Sequence, residues 1–366
     1  MKHFVGILII TMLMGSVAAH AQVRGEYLIT NYGAKGDGSF DNAPIINSLI
    51  NSLPNYGGSI VIPHGDFRIN SNISIPAGKN YVTIRGLGRG SRIILGTGAG
   101  AGIDVPSDPV RISGLTIRDL RISGSDWSVY QTGILVSRFS DGAHFNNVIC
   151  DNLKTGIFMN GSDAPRIVSC WVEQCESAIR LTGGLNQLVC NNHFGGYSGG
   201  VTCEFAGLNH LQFTGNVIVP DGYTCVWLNG SDNCNIAGNT ITTWYTGAIV
   251  VQGNMNTVVG NNLKADLVNS SWLPDPHGRD GLYGLIFVSG NDNLIASDAL
   301  FSWQPINDTR VNINSGDRNI LRDLTIAAND SNKKIVVGGA NATRITHCGY
   351  ATEIQPNGST HITYDP

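Results

Sequence analysis

The most regular feature of the chain is a short pattern of apolar and small polar residues that returns about every 23 positions. Each copy has an apolar residue, a variable residue, a small residue and then Asn or Asp, with another apolar residue one or two positions later. The Asn or Asp falls at positions 147, 192, 216, 239, 261, 298 and 323, and Cys takes its place at 170 and 348. Successive copies are therefore 23, 22, 24, 23, 22, 37, 25 and 25 residues apart.

A repeat of this length is typical of a solenoid, because each β-rich segment is too short to bury its own apolar face and must stack on its neighbours. Asn suits the turn of such a repeat, since it tolerates left-handed backbone angles and its amide can hydrogen-bond to the next turn. Crossovers between parallel strands are right-handed. The pattern predicts an all-β fold, a right-handed single-stranded parallel β-helix of about 10 to 12 rungs over residues 81–350.

The region before the rungs, residues 22–80, has a different pattern. Apolar residues at helical spacing between Asp41 and Leu53 predict a short N-terminal capping helix with Asp41 as its N-cap. Such a helix would cover the open end of the first rung, which is otherwise an aggregation hazard. The flanking stretches 31–38 and 57–63, NYGAKGDG and GGSIVIP, resemble the first segments of secreted pectate-lyase-like β-helix proteins.

Residues 1–21 have the pattern of a targeting segment. Lys2 precedes the apolar run Phe4–Met14, and small residues ending in Ala19-His20-Ala21 follow. This is the order of a cleavable signal peptide, and the apolar run is too short to span a bilayer. We expect a secreted or periplasmic protein whose mature chain begins near Gln22 and forms one β-helix domain, residues 22–366.

Alignment of the rungs on their apolar residues separates an inward from an outward set of side chains, because strand residues alternate between faces. The inward set is Leu181, Phe205, Leu228, Val251 and Val288. The preceding residues form what we call the outer row: Phe158, Arg180, Glu204, Trp227, Val250 and Phe287. A stripe of aromatic, acidic and basic side chains fits a sugar-binding groove or an oligomer interface, and both interpretations stay open.

Composition narrows the class of protein further. Glycine makes up 46 of 366 residues and only 14% of the chain is charged, which favours short strands and turns over helices. The net charge of −4 gives no electrostatic reason to expect nucleic acid or an anionic membrane as partner. The 8 cysteines match no zinc spacing and lie mostly in apolar strands, so we expect buried thiols, with no metal and no cofactor.

The one long spacing in the repeat marks an inserted loop at residues 269–281. It contains Trp272, His277, Arg279 and Asp280, residue types that bind substrates. Long loops on rigid scaffolds often carry function. The loop is therefore either part of a substrate site or a cover for one side of the solenoid.

Residues 91–303 resemble the inulin fructotransferases, the difructose-anhydride-forming enzymes of glycoside hydrolase family 91. The matching stretches are Arg111–Asp119, Gly199–Thr202, Phe213–Asn216, Asp280–Gly284 and Asn293–Asp298. The resemblance implies a secreted homotrimer with fructan sites between neighbouring subunits. It also implies an intramolecular glycosyl transfer, in which one carboxyl group protonates the departing oxygen and another activates the attacking sugar hydroxyl.

The sequence departs from this family at both catalytic carboxylates, which align with Gly199 and Asn209. The nearest replacements are Glu204, Asp232 and Asp221, with Arg180 and Trp227 as substrate-binding neighbours. Each acid also has a structural interpretation, Glu204 as the ion-pair partner of Arg180 and the two Asp residues as turn formers. The alternatives are a pectate-lyase-like or polygalacturonase-like enzyme acting on an acidic polysaccharide, and a catalytically inactive β-helix that binds glycan.

Overall fold

The structure is a computed structural model that describes residues 25–126, 128–137, 139–196, 200–219, 224–243, 247–265, 284–302, 311–328, 334–338, 340–348, 353–356 and 362–365. Within these ranges the chain winds into a parallel β-solenoid of about 10 turns, as the repeat predicted. The α-helix described is Ala43–Ser52, and a short 3-10 helix covers Ile29–Tyr32. No helix in the described part is long and apolar enough to cross a membrane.

Each full turn adds one strand to each of three parallel sheets. Sheet 1 contains Ile73–Ser74, Ala101–Val105, Thr132–Val136, Val201–Ala206, Thr224–Asn229, Ile249–Gln252, Ile286–Ser289, Val311–Asp317, Lys334–Val337 and Glu353–Pro356. Sheet 2 contains Glu26–Leu28, Gly58–Val61, Val82–Arg85, Arg166–Val168, Leu188–Cys190, Gln212–Thr214, Asn235–Ala237, Thr257–Val259, Leu294–Ala296, Ile320–Arg322, Thr343–Thr346 and Ile362–Asp365. Sheet 3 contains Gly65–Ile69, Ser91–Leu95, His193–Gly196, Val217–Ile218, Thr240–Thr243, Asn262–Ala265, Ala299–Ser302 and Thr325–Ala328.

Three long strands bend through the corners and so join more than one sheet: Thr116–Ser123, His144–Asn160 and Trp171–Thr182. A small separate sheet pairs Ile112–Ser113, Ser140–Asp141 and Ser162–Asp163, and Ala340–Asn341 pairs with the end of Val311–Asp317. In consecutive turns the same corner geometry therefore places equivalent residues one above another, about 4.8 Å apart.

The predicted capping helix is present, but its N-cap differs from the prediction. The helix begins at Ala43 after Asn42, and Ala43, Ile46, Leu49 and Ile50 bury its apolar face against the first turns. The fully buried Asn42 side chain instead joins Lys35 and Arg68 through backbone hydrogen bonds at 2.7–3.1 Å. Asp41 lies one residue outside the cap, where its carboxylate accepts a bond from Ala43 N–H at 3.2 Å.

The inward side chains of sheet 1 lie in the predicted register. Leu181, Phe205, Leu228, Val251 and Val288 are successive strand partners, and all are buried. This row joins a single apolar core that runs through the solenoid. All 8 cysteines are free thiols, and only Cys190 is partly exposed, as expected from their positions in apolar strands.

A buried ladder of amides runs along the corner between sheets 2 and 3. It consists of Asn192, Asn216, Asn239, Asn261 and Asp298, each no more than 3% exposed. From Asn216 onward, each Oδ1 accepts hydrogen bonds from the backbone N–H and the side-chain amide of the preceding ladder residue, at 2.7–3.0 Å. The repeating Asn thus supplies inter-turn bonds inside the solenoid.

At the ladder positions the prediction that the repeat Asn takes left-handed angles is wrong, because the residue before it does so, for example Asn191 with φ 55°. Asn147 and Asp323 also have positive φ, at 51° and 54°, so they are corner residues rather than ladder residues. The buried Val148 and Leu324 hold the ladder positions of those turns. The inward position accepts either an amide that bonds to the next turn or an apolar side chain that fills the core.

Candidate functional site

The outer row lies on the outward face of sheet 1, where strand pairing aligns its members. Phe158 pairs with Arg180, Arg180 with Glu204, and Glu204 with Trp227. Trp227 is followed in the same register by Val250 and then Phe287. The sequence-based alignment of these rungs is therefore confirmed residue by residue.

Arg180 and Glu204 form an ion pair at the middle of this row. Arg180 Nε and a carboxylate oxygen of Glu204 are 2.9 Å apart, and the two side chains are 42% and 14% exposed. The Nε–H has no partner in hydrogen-bonding geometry, so the contact is electrostatic rather than a directed hydrogen bond. The guanidinium also lies 5.6 Å from the centre of the Phe158 ring, a cation–π distance. The largely buried Glu204 carboxylate thus lies between the Arg180 guanidinium and the strand of the next turn.

Trp227 continues the row beyond Glu204. Its indole Nε1–H donates a hydrogen bond to Gln252 Oε1 at 2.8 Å, which holds the half-buried ring in place across one turn. The row therefore places an aromatic ring on either side of the Arg180–Glu204 pair. Aromatic rings flanking a carboxylate can hold the apolar face of a sugar while the carboxylate bonds its hydroxyl groups.

The far end of the row differs from the expectation of an exposed stripe. Val250 is fully buried and Phe287 is 6% exposed, although neither belongs to the central core. The outward face of sheet 1 is therefore covered at this end. Local alternation of apolar and polar residues gives no information about such a cover, because it reports only which way a side chain points.

Glu176 is a second carboxylate of sheet 1 that the sequence interpretation missed. It forms an ion pair with Lys154, whose ammonium group lies 4.9 Å from the centre of the exposed Tyr130 ring. A Cβ placed on Gly200 would be 2.7 Å from Glu176 Cγ, so the side chain lies directly against that backbone. The spacing of 24 residues between paired strands places Glu176 beside Gly200, a signal that was present in the sequence.

Asp232 lies away from the outer row, in the corner that follows sheet 1. Its Oδ1 accepts hydrogen bonds from Asn254 N–H at 2.6 Å and Asn254 Nδ2 at 3.2 Å. Asn254 and Asn291 make the same backbone bond in the next two turns, at 2.9 and 2.7 Å. Asn209 pairs with Asp232 across one turn. The Asp232 carboxylate is thus engaged in holding a corner together.

The other predicted site residues lie outside the described residues: Asp221, Trp272, His277, Arg279 and Asp280. The same holds for Gly199 and for the predicted signal peptide. Among the described side chains, no group of three or more His, Cys, Asp or Glu residues is arranged to hold a metal ion.

The protein is a parallel β-helix that carries aromatic and charged side chains in register on the outward face of sheet 1. The family model described as "Periplasmic copper-binding protein (NosD)", itself a β-helix family, matches residues 91–272. The inulin fructotransferase [DFA-I-forming] of Arthrobacter globiformis is 24% identical over 234 residues, 59% of this chain and 56% of that protein. The tail spike protein of Shigella phage Sf6 is 28% identical over 195 residues, 49% of this chain and 30% of that protein.

Among solved structures, the DFA-IIIase from Arthrobacter chlorophenolicus A6 in complex with GF2 superposes with a TM-score of 0.81. The two chains are 20% identical, and the match covers 90% of this chain and 96% of the other. The chain spans about half or less of the length of the two characterised relatives above. These similarities confirm the resemblance found in the sequence: the chain is similar to inulin fructotransferases and folds as a parallel β-helix.

Proposed function

We propose that this protein is a carbohydrate-active enzyme that acts on a fructan or a fructan-derived saccharide at the outer row of sheet 1. The observation that carries the proposal is the shielded Glu204 carboxylate, 14% exposed beside Arg180, in register with Phe158 on one side and Trp227 on the other. The similarity to an inulin fructotransferase and to a DFA-IIIase supports a fructan as the substrate class.

In the reaction, Glu204 serves as the acid or base nearest the glycosidic bond. Either transfer to a sugar hydroxyl or hydrolysis by water needs one group that donates a proton and one that accepts it. Asp221, the predicted acid that precedes the strand Thr224–Asn229 in the sequence, is our choice for the second carboxyl group. Arg180 orients Glu204, while Phe158 and Trp227 hold the sugar rings.

The same resemblance supports a cellular location and an oligomeric state for the enzyme. We propose that residues 1–21 direct export and that the mature chain forms a homotrimer. The matching family model is described as periplasmic, which supports export. Intact-mass analysis of the secreted protein would test cleavage near Gln22.

The substrate class is tested by incubating the purified protein with inulin, difructose anhydrides and polygalacturonate and separating the products by chromatography. The expected result is a cyclic disaccharide or fructose from one of the first two substrates. Unsaturated uronides from polygalacturonate would instead identify a lyase of acidic polysaccharides and refute the fructan assignment.

A second candidate is a glycan-binding β-helix without catalysis. It is favoured by Asn209, an amide where the resemblance places a carboxylate, and by the ion pair that neutralises Glu204. Retention of inulin without any product from any of the three substrates would favour this candidate. In the catalytic case, Glu204→Gln abolishes product formation while inulin binding persists.

A further inference from the structure

A groove of about 400 Å³ lies along the corner between sheets 2 and 3, away from the strands that carry Arg180 and Glu204. Trp171, His193 and Val217 are register partners in sheet 3 and form its wall. The rim consists of corner residues and one arginine: Asn147, Ser169, Asn191 and Arg89. Its volume falls within the ordinary range for small-molecule sites, about 300–1,000 Å³.

The wall of the groove is a stack of planar groups. The Trp171 and His193 rings are parallel within 15°, with their centroids 4.0 Å apart. The guanidinium of Arg89 lies 5.4 Å from the centre of the Trp171 ring. Trp171 is 36% exposed and Val217 41% exposed, so a broad apolar surface remains open to solvent.

Several polar groups in this groove have no protein partner in the described part of the chain. No described residue forms a hydrogen bond with the Trp171 indole N–H, the His193 ring nitrogens or the Asn191 side-chain amide. Arg89 likewise has no acidic partner there, since its described contact is with the Trp171 ring. Other arginines of the solenoid, such as Arg121 and Arg318, are paired with aspartates.

The His193 imidazole adds a group that can donate and accept. Burial lowers the pKa of His193, and the nearby Glu173 opposes that shift only in part. The ring is therefore neutral at pH 7, with one nitrogen as donor and the other as acceptor. The groove thus combines an apolar aromatic wall with donors and acceptors that are free to bind hydroxyl groups.

We propose that the groove lined by Arg89, Trp171, Asn191 and His193 is a second saccharide-binding site, separate from the outer row. Sugars present an apolar C–H face and a rim of hydroxyl groups, which matches this wall and rim. The ligand is a neutral saccharide, because the described lining carries one cation, Arg89, and the acid Glu173 lies near His193, so neither sign of charge dominates. The site would anchor a long chain while its end reaches the outer row.

The choice of a fructan as ligand rests on the proposed function, but the existence of the groove site does not. Binding is therefore measured separately from turnover. Isothermal titration of inulin into Glu204→Gln protein reports binding without reaction, and turnover of an inulin trisaccharide by protein with Glu204 intact reports the outer row alone.

Trp171→Ala, made in the Glu204→Gln protein, is expected to weaken inulin binding roughly 3- to 10-fold, the loss typical of one aromatic contact. With Glu204 intact, the same substitution should leave trisaccharide turnover within about twofold, since a short substrate spans one site. His193→Ala and Arg89→Ala should weaken binding in the same direction, and they serve if Trp171→Ala misfolds. Tyr56→Ala is the matched control, because Tyr56 is 81% exposed and lies outside the groove.

Unchanged inulin affinity in the Trp171, His193 and Arg89 variants would overturn the proposal. So would a Trp171→Ala protein that changes its oligomeric state while its inulin affinity stays the same, because the groove would then be a subunit interface. Absence of all turnover together with weakened binding in Trp171→Ala would refute the proposed function and leave the groove site standing.

Discussion

Asp298 ends the buried amide ladder, and its replacement by Asn should stabilise the fold at neutral pH. In the preceding turns each ladder Asn donates its Nδ2–H to a carbonyl one turn back, for instance Asn239 to Phe213 O at 3.1 Å and Asn261 to Ile236 O at 3.0 Å. The same register assigns the Val258 carbonyl to residue 298. Asp298 Oδ2 is buried there without a hydrogen-bond partner. An ionised carboxylate has no proton to offer, so two acceptors oppose each other.

Burial raises the pKa of Asp298 from its ordinary value of 3.8 to about 6, although two bonds from Asn261 work in the opposite direction. A shift of about 2 units corresponds to roughly 3 kcal/mol at about 1.36 kcal/mol per unit. Between pH 4 and pH 6 the folded chain holds a proton that the unfolded chain has lost, so stability falls as the pH rises through this window. Above about pH 6 the whole penalty is present.

Asp298→Asn removes this penalty and restores the donor of the ladder. Urea unfolding at several pH values should show the variant more stable by about 2–3 kcal/mol at pH 7.5, with the difference shrinking towards zero near pH 4. Asn239→Asp, the mirror change two turns earlier, should lose stability at pH 7.5 and recover it at low pH. A difference between Asp298→Asn and the wild type that is the same at every pH would refute this reasoning.

Three further outcomes follow from the ladders and the core. Asn216→Ala should lower the free energy of unfolding in a urea titration by about 3 kcal/mol or more, because it leaves several buried groups without a hydrogen-bond partner. Alanine at the exposed Asn262 is the control and should change it by less than ~0.5 kcal/mol. A thiol reagent should label at most Cys190 in the folded protein and all 8 cysteines after denaturation; rapid labelling of several native thiols would contradict the packing. Asp232→Asn should keep both stability and activity, since Asn makes the same bond at positions 254 and 291, and a large loss of rate would return Asp232 to the active site.

The repeat of about 23 residues was enough to predict the solenoid and the register of its strands. Apolar residues in a solenoid must stack on their equivalents, so a one-residue slip would place Phe205 or Leu228 in solvent. The same constraint brought Arg180 and Glu204 together. Charged neighbours within an aligned row were therefore predictable from position alone.

Other features depended on contacts that a linear pattern does not contain. Whether Asn147 or Val148 takes the ladder position depends on which residue turns the corner, and both are compatible with the spacing. The Trp171–His193 stack joins residues whose partnership appears only once the corner into sheet 3 is known. Glu176 was missed for a different reason: its spacing of 24 residues from Gly200 is in the sequence, but it precedes the repeat residues that were aligned.

The central claim is that Glu204 in the outer row carries out the reaction on a fructan. It is tested most directly by the rates of product formation from inulin for two isosteric variants, Glu204→Gln and Glu26→Gln, the second in the first strand of sheet 2, away from both the outer row and the groove. The account predicts a loss of at least about 100-fold for Glu204→Gln, the usual contribution of a general acid or base, and a near-native rate for Glu26→Gln. Full activity of Glu204→Gln would contradict it.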